Sequence, residues 1–188
     1  MLPWGHAAVG YLLYSFVARL RDRFPLDGWA VVALGLGTQF PDLVDKPLAW
    51  SFAVLPTGRS LMHSALTMTL VGAVLLYVAH RRNRETVAWA FLAGYASHLV
   101  ADAVAPLSRG DVHEIHYVVY PLLPLPEPEH DYSFIDFFLT LELTPLTTLG
   151  LVLTGVALVQ WHRDGHPGLA VLRGVTGRLR GSDDPNQQ

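Results

Sequence analysis

The 188-residue chain contains no cysteine. Disulfides, thiolate zinc sites and iron–sulfur ligation are therefore excluded, and the redox compartment cannot be read. Charge is scarce as well: Asp, Glu, Lys and Arg supply 15% of residues, against about 25% in ordinary soluble domains. The net charge is only −3, and no basic run is interleaved with aromatics, which argues against a nucleic-acid partner. What is abundant is apolar: 51% of residues are hydrophobic and the mean hydropathy is +0.31. These values point to a small all-α, polytopic membrane protein.

Five apolar segments can be marked: residues 6–20, 29–40, 61–79, 86–105 and about 134–161. The first two are shorter than the ~20 residues that cross a bilayer comfortably, which implies tilt or partial embedding. The second is expected to stop at Pro41-Asp42, since proline breaks a helix. A Pro-rich connection, 106–133, separates segments four and five. The expected organisation is one membrane-embedded domain, 1–162, followed by a polar tail, 163–188, disordered from about Arg173. The opening residues "MLPWGH" lack a positive n-region, so no cleavable signal peptide is expected.

The arginines set the topology. Arg19, Arg21 and Arg23 follow segment one, and Arg81, Arg82 and Arg84 separate segments three and four. Arg163, Arg173, Arg178 and Arg180 follow segment five. Ten of the thirteen basic residues thus fall on one side of a five-segment chain, leaving Lys46, Arg59 and Arg109 on the other. By the positive-inside rule the N-terminus and the 106–133 loop face outward from an inner or plasma membrane.

On that topology five metal-ligating side chains converge on one leaflet. His6 opens segment one, Asp42 closes segment two, His63 opens segment three, and His98 with Asp102 closes segment four. His98 and Asp102 are four residues apart, which places them on one helix face. Imidazole and carboxylate without thiolate suit a divalent cation such as zinc. Ligation also removes the cost of ionisable groups near hydrocarbon. The bland alternative is a simple His98–Asp102 hydrogen bond, with Asp42 in a helix-ending turn. Asp45 reads as a group that orients water, as a support behind a ligand, or as merely solvated. Arg59 reads as a phosphate clamp or as a snorkelling interfacial residue.

"HEIH", residues 113–116, is one residue too short for the H-E-x-x-H zincin pattern. His113, His116, His130 and Glu142 are therefore read first as structural or solvated, with a further ion as the alternative. Pro145 is expected to kink segment five three residues beyond Glu142.

"WGHAAVG", "FPDLVD", "GRSLMHS" and "GYASHLVAD" resemble a family of prokaryotic inner-membrane-associated metal-dependent hydrolases, also described as LexA-binding. The likeness covers residues 4–105. Gly58 and Met62 stand where that family has histidine and threonine. The order of the ligands is also distantly similar to that of the zinc-dependent phospholipase C group. That likeness implies one ion held by Asp42, His63, His98 and Asp102, and a second held by His6 with Asp102 bridging.

The resulting expectation is a membrane-bound hydrolase with its site at the outer face, cleaving a phosphoester of a lipid or lipid-linked substrate. One or two zinc ions, Arg59 and Asp45 would serve it. A non-catalytic structural or sensing metal site is the alternative, and haem ranks last because the aspartates suit another ion. The absence of native cysteine makes the topology directly measurable. An impermeant thiol reagent applied to intact cells should label Ser108→Cys and spare Asn83→Cys; the reverse pattern would overturn the orientation.

Overall fold

The computed structural model describes residues 2–125 and 142–181, with Ile135 and Leu139 between them; side chains are described up to Thr176. Among these residues every regular element is helical. Helix α1 spans Pro3–Leu20, α2 Gly28–Lys46, α3 Ala65–Arg81, α4 Glu85–Ser108, α5 Pro145–Arg163 and α6 Leu169–Gly181. A π-helical turn, Pro47–Ser51, extends α2, and a 3-10 helix, Val112–Val119, follows α4. Helix α4 packs on α1, α2 and α3, and α5 lies against α1.

Helix starts follow side-chain chemistry. Asp27 accepts from the backbone N–H groups of Trp29 and Ala30 and so caps α2. Ser64 does the same for α3 through Leu66 N, so His63 precedes that helix rather than opening it. Pro145 sits at the start of α5, where a missing N–H costs nothing, behind the cap Thr144. It therefore does not kink a longer helix, and Glu142 lies exposed ahead of α5. Helix α6 packs back against α2, with Val171 beside Gly28.

Helix α2 does not stop at Pro41. It continues to Lys46, placing Asp42 and Asp45 on successive turns of one helix. Proline removes one hydrogen bond to the carbonyl four residues back, here that of Gly37. Gly37 lies where α2 and α4 nearly touch. A Cβ on Gly37 would come within 2.1 Å of the Phe91 carbonyl oxygen, and one on Gly94 within 2.2 Å of the Leu34 carbonyl oxygen. Only glycine at both positions permits this backbone approach.

The distribution of residues is inverted relative to a soluble domain. Buried positions include His6, Ser15, Thr38, Asp45, His63, His98 and Asp102, whereas Phe16, Leu43, Leu70, Val74, Val100 and Val152 are exposed. Large apolar side chains are exposed on all five of helices α1 to α5. Helix α4, with 24 residues, is long and apolar enough to cross a membrane; α3 is apolar but has only 17. At 1.5 Å per residue, α4 is about 36 Å long, enough for a hydrocarbon core of about 30 Å.

At the end of α1 opposite His6, Asp164 gathers four partners. Tyr11 and Ser15 each donate to it at 2.7 Å, Gln160 donates at 2.8 Å, and Arg19 pairs with it. Burial by itself raises the Asp164 pKa, but the hydrogen bonds and the Arg19 charge outweigh it and hold the carboxyl below its usual range. The stabilisation is therefore full above about pH 4 and is lost as pH falls through the lower folded value. Asp164→Asn should cost about 2–3 kcal/mol at pH 7. Thermal melts should show the gap between wild type and variant narrowing below about pH 4; a gap independent of pH would refute the ionic clamp.

Candidate metal centre

Seven side chains singled out in the sequence meet at one end of the bundle. His6 comes from α1, Asp42 and Asp45 from α2, and Arg59 and His63 from the link before α3. His98 and Asp102 come from α4. His63, His98 and Asp45 are fully buried, and His6, Asp42 and Asp102 nearly so. Arg59 differs, with 43% of its side chain accessible.

Each of two imidazoles is aimed by what holds its other nitrogen. His98 Nδ1 lies 2.7 Å from the Thr38 carbonyl oxygen, a contact made possible by the glycine crossing of α2 and α4. His63 Nδ1 lies 2.8 Å from Asp45 Oδ2. Both acceptors require a proton on Nδ1, so both Nε2 atoms turn inward, and they stand 3.1 Å apart. Asp45 also accepts from the backbone N–H groups of Ser60, Met62 and His63, which folds the link around it. Tyr95 fastens the link from α4 by donating to the Met62 carbonyl. Both oxygens of Asp45 are thus occupied by N–H donors.

The carboxylates complete the cluster. Asp42 Oδ1 is 3.5 Å from His63 Nε2 and 3.8 Å from His98 Nε2, buried with no hydrogen-bond partner among the described residues. Its other oxygen accepts from Lys46 at 2.6 Å. Asp102 Oδ1 lies 3.2 Å from His6 Nε2; Oδ2 lies 3.7 Å from His63 Nε2 and 3.8 Å from His98 Nε2. The His98–Asp102 hydrogen bond of the bland reading is not made, since the separation is too long. Arg59 Nε donates to Asp102 Oδ2 at 2.8 Å, and the His6 and His98 rings stack at 3.9 Å.

This donor set fits a cation. Nitrogen ligands about 3.3 Å apart subtend a tetrahedral angle at the ~2.0–2.1 Å zinc–imidazole distance. The 3.1 Å between His63 and His98 is close to it. Two groups can hold an ion, His6 with His98 and Asp102, and Asp42 with His63 and His98. Three buried carboxylates meet two basic side chains, Lys46 and Arg59, so the cluster is rich in acceptors. Burial pushes the His63 pKa down, but the Asp42 and Asp45 carboxylates outweigh it and raise it. Only a shared proton or a metal ion satisfies the gap between the two Nε2 atoms, and a metal displaces the proton.

The remaining candidates lie elsewhere. His113 is exposed, His116 Nδ1 contacts the Pro124 carbonyl oxygen at 3.1 Å, and Glu142 is exposed. His130 lies outside the described residues. Ser64 Oγ donates to the Tyr120 carbonyl at 2.7 Å, and Ser97 Oγ to the Gly94 carbonyl at 2.8 Å. At Gly58, a Cβ would lie 3.1 Å from Trp50 ring atoms, so the tryptophan fills the space where a larger residue would project.

Sequence reasoning missed Tyr117 in the 3-10 helix. It is 2% exposed and stands edge-on to His63, with 5.8 Å between ring centroids. No periodicity or spacing marks it. The Lys46–Asp42 pair has the i,i+4 spacing of neighbours on one helix face.

A family model described as YdjM inner membrane protein matches residues 1–173. The chain belongs to the YdjM inner membrane protein family. Membrane residence, inferred from composition, is thereby supported at the level of the family. No curated protein and no solved structure matches the chain.

Substitutions separate ligands from supports. His98→Ala should abolish stoichiometric zinc binding by the detergent-solubilised protein. Asp45→Asn should keep the stoichiometry at saturation but weaken affinity about 10–100-fold, the usual cost of losing a partner behind a ligating histidine. Full metal content in His98→Ala, measured by elemental analysis, would remove the assignment.

Proposed function

We propose that this YdjM-family member is a membrane-embedded metal-dependent hydrolase acting on phosphoesters of lipids or lipid-linked molecules at the outer face. The observation that carries the reading is the division of Asp102. One oxygen faces His6 and the other faces His63, His98 and Arg59, as a carboxylate shared by two ions would. Zinc suits the His and carboxylate donors.

A divalent ion held by His6, Asp42, His63, His98 and Asp102 would supply Lewis acidity there. The chain supplies the rest. The Lys46 ammonium occupies one oxygen of Asp42 and leaves the other toward the imidazoles. The Thr38 carbonyl and Asp45 hold His98 and His63 in orientation. Arg59 spends one N–H on Asp102 and, being the half-exposed member of the cluster, offers the remaining donors to an arriving anion. Substrate therefore enters from the Arg59 side.

The exposed apolar surfaces of α1 to α5 support a multi-pass arrangement, and the arginine distribution supports an N-terminus outside. The site then lies at headgroup depth, which favours a lipid substrate. A non-catalytic metal site is the second reading, favoured by the near-complete burial of all five ligands.

The deciding assay is hydrolysis of a phosphodiester dye substrate and of phospholipid vesicles by the zinc-replete protein. Activity should vanish with chelator and return with zinc. Arg59→Ala should lower turnover about 10²-fold with zinc content unchanged. Zinc-replete protein inert toward every phosphoester would leave the non-catalytic reading.

A further inference from the structure

The 3-10 helix Val112–Val119 closes over the metal centre and is tied there by Ser64, which donates to the Tyr120 carbonyl at 2.7 Å. Its one buried side chain, Tyr117, is aimed inward. The phenol ring meets His63 edge-on, at 86° between planes. The charges it feels are those of Asp102 and Arg59, the pair that marks the open side of the cluster. Its hydroxyl is buried, yet it has no hydrogen-bond partner among the described residues.

A buried hydroxyl without a partner costs about 1–3 kcal/mol, and that cost calls for a partner. A tyrosine that only packed could be phenylalanine, which avoids the penalty. The Tyr117 ring lies against His63, and Asp102 and Arg59 act on it electrostatically; a neutral phenol can donate to an anionic oxygen. Arg59 and Tyr117 come from different segments, the link before α3 and the 3-10 helix after α4.

We propose that Tyr117 is a substrate-binding residue whose hydroxyl donates to a phosphoryl oxygen of the anion that Arg59 engages. The inference rests on the phosphoester reading above and adds a residue that neither the motifs nor the metal-ligand geometry assigns. It also gives the 3-10 helix a role: it delivers one hydrogen-bond donor to the site.

The test uses the full chain in detergent, loaded with zinc, with inorganic phosphate as probe. Phosphate affinity is measured by calorimetry for wild type and Tyr117→Phe, each with zinc and after chelation. Wild type should bind phosphate only with zinc present. Tyr117→Phe should keep its zinc stoichiometry and melting temperature while phosphate affinity falls roughly tenfold or more, as for one hydrogen bond to a charged group. Equal phosphate affinity in the two proteins would overturn the inference and leave the hydrolase reading standing. Loss of zinc in Tyr117→Phe would also overturn it, making the phenol a support for His63. Zinc-replete wild type that binds no phosphate would remove the phosphoester reading and the inference together.

Discussion

Everything at the candidate centre depends on two backbones passing within side-chain-free distance of each other. Where α2 crosses α4, Gly37 and Gly94 each face a main-chain carbonyl with no room for a methyl group. That approach brings the Thr38 carbonyl to His98 and fixes which imidazole nitrogen faces the cluster. It also sets Asp42, one turn further along α2, against the same imidazole. In a membrane, where lipid tails remove the hydrophobic drive between helices, close packing of small residues is an effective substitute.

The electrostatics follow from this inversion of inside and outside. A bundle with leucine and valine outside and imidazole and carboxylate within concentrates charge where screening is weak. Such a cluster persists only if its members satisfy one another or hold an ion. Asp45 is the self-satisfied case, surrounded by N–H groups. Asp42 is the other case, with one oxygen tied to Lys46 and one turned toward the gap between the histidines. Two aspartates three residues apart on one helix thus have opposite surroundings.

Much of the site was legible in the sequence because its residue types are costly in apolar surroundings. His6, Asp42, His63, His98 and Asp102 stood out against hydrophobic neighbours, and a topology argument brought them to one end before any contact was known. The all-helical class followed from the same apolar runs. Boundaries were less legible. Pro41 signals a stop, but the helix passes through it. Pro145 reads as a kink inside a run, whereas it begins a helix. Tyr117 could not be read at all, because a buried phenol in a Pro-rich loop differs from a packing aromatic only through the partner its hydroxyl lacks. The surroundings of Asp45 were not legible, because the backbone N–H groups that meet it are not encoded in residue identity.

The position of Asp164 has a consequence for biogenesis. All the candidate ligands lie in the first 102 residues, while the Asp164 clamp on α1, the helix bearing His6, arrives only after α5. During synthesis the donor set is therefore complete some sixty residues before α1 is locked, as the chain positions give. The cluster is thus assembled from the early part of the chain and is braced by a contact made from the late part.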